Sequence, residues 1–143
     1  MTKEMHAKFV ASLTFRGFEV SPDQVESLVG VPATELGTYG AARKPGLPPL
    51  QRSFARWEVV LAETTSLDEM IPALLSSLGG TDRLHTVQEQ VRAEFLEVDL
   101  SMWIKDSIEQ EGGFIDPETI AMLARLGATL SFGFYSRNAE NRP

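Results

Sequence analysis

Four stretches of the chain alternate strictly between two sets of side chains. Phe9, Ala11, Leu13 and Phe15 interleave with Val10, Ser12, Thr14 and Arg16, and Ala55, Trp57, Val59 and Leu61 with Arg56, Glu58 and Val60. The cleanest run sets Leu96, Val98, Leu100, Met102 and Ile104 against Glu97, Asp99, Ser101 and Trp103. The last sets Leu130, Phe132 and Phe134 against Ser131, Gly133 and Tyr135. Side chains of a strand point alternately to opposite faces, so each run predicts a strand with one dry and one wetter face. Such alternation marks an antiparallel or mixed sheet covered on one side.

Two further segments carry helix-start chemistry. Ser21-Pro22-Asp23-Gln24 supplies an N-cap hydroxyl, a first-turn proline and a capping-box glutamine, with Val20 and Val25 as a hydrophobic staple. Asp116-Pro117-Glu118-Thr119 repeats the device, with Ile115 and Ile120 as the staple and Gly127 as the stop. The predicted apolar stripes are Val25, Leu28 and Val29 in the first helix and Ile120, Leu123 and Ala124 in the second. Ser21 to Thr34 also aligns with Asp116 to Thr129 at a constant offset, sharing Pro, Leu, Ala and Thr. That pattern fits either an internal repeat or convergence of two strand–helix–strand units, and both predict such units packed side by side. A short strand is expected within Thr34 to Tyr39.

Leu67, Met70, Ile71, Leu74, Leu75 and Leu78 form a further helical stripe ending at Gly79-Gly80. Ser66 and Glu69 suit its capping box, but Pro72 then lies inside, at a cost of about 3 kcal/mol, which predicts a later start or a kink. Leu84, Val87 and Val91 predict a second short helix behind Thr81 or Asp82. Residues 40–49 and 106–113 read as loops, and 138–143 as a frayed tail.

These elements predict one α+β domain spanning 1–143, with its core at about 8–136. The expected architecture is a two-layer sandwich of ferredoxin-like-related strand–helix–strand repeats. Its four- or five-stranded sheet is mostly antiparallel, with the helices on one face. A chain of 143 residues is long enough to bury a sizeable core, and 43% apolar content argues against disorder.

Charge and composition narrow the chemistry. Thirteen basic against twenty acidic residues give a net charge of −7, which opposes phosphate recognition and nucleic-acid binding. Zero cysteines remove disulfides, thiolate metal sites and a cysteine nucleophile. Only His6 and His85 supply imidazole. No apolar run is long enough for a signal segment or a membrane span, so a cytoplasmic protein without membrane contact is expected. No phosphate-cradling loop, dinucleotide-binding turn or nucleophile elbow occurs. Glu109 and Glu111 beside Gly112-Gly113 suggest a hard-cation loop, but their number favours a solvated acidic turn. The expectation is therefore no catalytic residues, no metal and no cofactor.

The wetter sheet face is the candidate surface. It collects Arg16, Arg56, Glu97, Asp99, Trp103 and Tyr135, joined by Thr14, Glu58 and Ser101. Arg–carboxylate pairs across strands would stabilise it modestly. Trp103 among charges resembles an interface anchor. It could equally pack beneath loop 40–49 or at a dimer seam.

The order of features resembles a known bacterial family, the domain of unknown function 4279. The resemblance covers about residues 8–136 and rests on Ser21-Pro22, Pro32-Ala33-Thr34, Trp57, and Asp116-Pro117-Glu118 through Leu126-Gly127-Ala128 to Tyr135. Around Gly40 the chain departs from the family, carrying Tyr39-Gly40 and Arg43-Lys44 where a Lys-Gly and an aromatic are frequent. The matched positions are mostly caps, turns and core sites, so the resemblance implies a fold and no catalytic set.

The leading functional expectation is a non-enzymatic protein-interaction module, immunity-like in neutralising a basic partner, since opposite charge speeds encounter. Self-association as a structural homodimer is one alternative. The other is a small-molecule binder or enzyme, which requires a concave pocket with converging polar groups near Arg56 or Trp103.

Overall fold

The computed structural model describes residues 9–104 and 113–136. Its elements run β1 (Phe9–Arg16), α1 (Pro22–Val29), β2 (Glu35–Gly37), β3 (Phe54–Leu61), α2 (Leu67–Ser77), α3 (Thr81–Val91), β4 (Phe95–Ile104), α4 (Pro117–Leu126) and β5 (Thr129–Ser136). The strands form one sheet in the order β2-β3-β1-β4-β5. The alternating runs become strands within a residue of their predicted ends.

The sheet is mixed, which corrects the mostly antiparallel expectation. β1 is antiparallel to both β3 and β4, and β2 to β3, but β5 runs parallel to β4. A parallel neighbour needs a crossover, and α4 lies on it. The two strand–helix–strand units also differ. β4 and β5 pair directly, whereas β3 intervenes between β1 and β2. Their helices have unequal lengths, 8 residues in α1 and 10 in α4, so the cap glycines Gly30 and Gly127 break the constant offset.

One face of the sheet carries Ala11, Leu13 and Phe15 of β1, Ala55 and Trp57 of β3, and Leu96, Val98, Leu100 and Met102 of β4, all buried. They form one cluster with Val25 and Val29 of α1, Met70, Ile71, Leu74 and Leu75 of α2, Leu84 and Val87 of α3, and Leu123 and Leu126 of α4. Trp57 stands at its centre. Its ring meets Phe15 edge-on with centroids 5.9 Å apart, and its indole N–H donates to the Val31 carbonyl at 2.8 Å.

Local chemistry explains the helices. Ser21 caps α1, accepting from the Gln24 N–H at 3.2 Å while the Gln24 side chain accepts from the Ser21 N–H at 3.1 Å. Asp116 caps α4 through the Thr119 N–H at 2.9 Å. α2 begins at Leu67, with Glu69 accepting from the Ser66 N–H at 3.1 Å, and continues through Pro72. The predicted later start is thus corrected: burial of Met70, Ile71, Leu74 and Leu75 outweighs one lost backbone bond.

Two predicted stripes rotate. Leu28 and Ile120 are exposed, and the buried positions are Pro22, Val25 and Val29 in α1 and Thr119, Leu123 and Leu126 in α4. Ala124 is exposed as well. Each helix therefore buries a narrower stripe than its apolar residues suggested. The expected tail, most of loop 106–113, Glu109, Glu111 and His6 lie outside the described residues.

Candidate functional site

Strand register arranges the second face of the sheet in rows. The first crosses Gly37, Phe54, Arg16 and Phe95; the second crosses Glu35, Arg56, Thr14, Glu97 and Thr129. Behind them come Glu58, Ser12, Asp99 and Ser131, then Val60, Val10, Ser101 and Gly133, and finally Trp103 beside Tyr135. The six candidate residues Arg16, Arg56, Glu97, Asp99, Trp103 and Tyr135 thus share one face.

Arg16 is the most heavily engaged of them. Its guanidinium carbon lies 5.5 Å from the centre of the Phe54 ring, and its Nε donates to Glu97 Oε1 at 3.2 Å. The Phe54 ring can lie flat there because Gly37 has no Cβ; one added at Gly37 would meet the ring at 2.2 Å. Arg56 pairs along its own strand with Glu58 at 2.7 Å rather than across strands. Both pairs are about a third exposed, so each contributes at most about 1 kcal/mol. Glu35 and Asp99 form no ion pair within the described part of the chain.

Ser12 and Thr14 are buried although they lie on this face, at 2% exposure each. They occupy the central strand, and longer neighbours close over them. Where small side chains meet, at Ser12, Ser101, Ser131 and Gly133, the surface sinks into a depression of about 320 Å3. Arg56, Asp99 and Tyr135 edge it. The Tyr135 ring leans back over Gly133, whose ideal Cβ would stand 3.1 Å from the phenol oxygen. This is the concavity near Arg56 that a ligand-binding reading requires, at the small end of ligand-pocket volumes.

Trp103 packs on Tyr135, its ring tilted 47° with centroids 5.5 Å apart. It stands in the row farthest from Phe54, where loop 40–49 rejoins the sheet, so it does not pack beneath that loop. A wider groove of about 1080 Å3 is lined by residues on either side of that loop and by none of 40–49 itself. Tyr39, Gln51, Arg52, Gln90, Arg92 and Glu94 contribute to its walls. Arg52 is held there by Glu94 at 3.0 Å and covers the Phe95 ring at 5.2 Å. Arg92 takes a left-handed φ of 54° at the end of α3, a conformation uncommon outside glycine. His85 lies half-buried on α3, 3.8 Å from Glu89, and belongs to neither concavity.

Sequence reasoning missed Ser12, Ser131, Gly133, Glu35 and the two phenylalanines flanking Arg16. Small residues and single-sided neighbours carry no local signal; register alone brings them together. Phe132 and Phe134 were expected on the dry side. They do share the helix-bearing face with Leu100 and Met102, yet they are 45% and 58% exposed. β5 is an edge strand, and the helix layer ends before covering them.

Fold and surface together define an α+β domain with an open mixed sheet, its polar face shaped around a shallow depression. The chain belongs to the family described as a domain of unknown function (DUF4279), whose model matches residues 6–137. No curated protein and no solved structure gives a significant match.

Proposed function

We propose that the protein is a non-enzymatic interaction module that receives a basic protein partner on its open sheet face. The observation carrying this reading is the charge of that face. Its two arginines are already paired with Glu97 and Glu58, while Glu35 and Asp99 are left unpaired within the described part of the chain. A chain of net charge −7 adds a long-range pull on a cationic partner. Phe54, Phe95, Trp103 and Tyr135 supply the aromatic contact area in which binding energy concentrates. An immunity-like role in a bacterial cytoplasm, silencing a basic partner by occlusion, agrees with this chemistry.

Antiparallel strands β2-β3-β1-β4, with α1 and the α2–α3 pair in the crossovers, support a ferredoxin-like two-layer core to which α4 and β5 are appended.

The test is affinity capture on immobilised full-length protein, with Asp99→Lys and Trp103→Ala compared against Leu28→Lys on α1. The expected result is a basic protein retained at low salt, released at high salt, and lost with the two face variants only. Capture indifferent to the face variants, or no salt-sensitive partner at all, overturns the reading.

A second reading is favoured by the depression itself, where Arg56, Asp99 and several hydroxyls surround one small volume. A small polar ligand held there would shift the amide resonances of Ser101, Ser131 and Gly133 when a metabolite panel is titrated. Unchanged resonances across the panel remove it.

A further inference from the structure

The two edges of the sheet are built differently. β2 is only three residues long, Glu35–Gly37, and begins with a charge. Shortness and charge are the usual means of preventing an edge from recruiting another strand. β5 uses neither. It runs eight residues, Thr-Leu-Ser-Phe-Gly-Phe-Tyr-Ser, without a proline or a charged side chain, and among the described residues it pairs only with β4. Each of the other four strands carries at least one arginine, aspartate or glutamate.

This edge also concentrates exposed apolar surface. Phe132 and Phe134 stack with ring planes 5° apart and centroids at 6.1 Å, each about half exposed. Tyr135 is exposed at 48%. Isolated exposed apolar residues are ordinary, but an ordered phenylalanine pair beside an open backbone ladder is a surface prepared for cover.

We infer that β5 pairs antiparallel with β5 of a second copy, joining two five-stranded sheets into one continuous sheet. Charge selects this occupant. At net −7 two copies repel across most of their surfaces, and β5 is the strand along which they meet without opposing like charges. Side-chain order selects it as well. A two-fold axis at Gly133 sets Phe132 opposite Phe134 of the other copy on the helix-bearing side. On the open side it sets Ser131 opposite Tyr135, small against large. Such a contact is self-complementary, as a closed two-fold interface requires.

The contact is of modest size. Aromatic side chains present about 150–250 Å2 each, so four half-exposed phenylalanines remove on the order of 400 Å2. Tyr135 and the paired backbone bring the total toward the roughly 1,200 Å2 at which specific interfaces begin. The pairing would present two open faces side by side, with Tyr135 at the border between the interface and each face.

Sedimentation equilibrium of the full chain, from low to high micromolar protein, tests the inference. Wild type is expected at twice the chain mass. Phe132→Lys and Phe134→Lys are each expected to weaken association roughly a hundredfold. Both positions are exposed, so the fold survives, as unchanged amide protection in β1 would show. Leu28→Lys should leave the dimer intact. A wild-type monomer throughout the range overturns the inference. So does a dimer indifferent to both lysine variants, or β5 amides protected only when a different protein is added.

Discussion

Trp57 ties three parts of the molecule together: the β3 backbone that carries it, the Phe15 ring it meets edge-on, and the Val31 carbonyl that receives its indole proton. Trp57→Ala should lower unfolding free energy by about 3–5 kcal/mol in a urea titration, through lost burial and a residual cavity. Trp57→Phe keeps most of the apolar area but strands the carbonyl, and about 1–3 kcal/mol is expected. Gly17 is constrained differently. Its φ is 83°, and an added Cβ would lie 3.0 Å from the Glu94 Cβ, so Gly17→Ala should cost about 1–3 kcal/mol in the same titration. Arg16→Ala, by contrast, should change stability by no more than about 1 kcal/mol, because its contacts are part-exposed. That separation makes the open face testable for binding without disturbing the fold.

Among the elements, helix ends offer the most direct tests. Ser21→Ala and Asp116→Ala each remove a side-chain acceptor from a helix N-terminus and should cost about 1 kcal/mol apiece by thermal unfolding. Pro72→Ala in α2 should act in the opposite sense. It restores a backbone donor inside a helix, and a gain of about 1–3 kcal/mol is expected. These same elements show what the residues could and could not declare in advance. α1 and α4 were legible because capping is chemistry among neighbours three or four positions apart. The four long strands were legible because alternation is local too. The parallel β4–β5 pair was not, since nothing along a strand states its partner's direction. Arg16 lies beside Phe95 only through pairing between distant parts of the chain. The depression stayed hidden for the same reason. Ser12, Ser101, Ser131 and Gly133 acquire meaning only from the large residues that other strands set around them.

At the scale of the whole molecule, sheet order dictates a gradient of protection. β1 is central and bonded on both sides, so its amides should exchange slowest, while those of the short edge strand β2 should exchange among the fastest. Hydrogen exchange followed by mass spectrometry reads that order directly. Pairing β1 with β4 joins segments far apart in the sequence, which favours slow refolding over a helix-bundle rate. The net charge of −7 predicts a further collective effect. Raising ionic strength from a few millimolar to physiological levels should move the denaturation midpoint upward, as self-repulsion is screened.

The chain holds two tryptophans, and the fold sends them to opposite environments: Trp57 is sealed inside, whereas Trp103 rests on Tyr135 at the rim of the uncovered side. Nature has thereby installed a pair of fluorophores with separate duties. Acrylamide should quench one and spare the other. A Trp103→Phe variant then glows only as a gauge of the interior, and the difference spectrum against wild type records whatever arrives from outside.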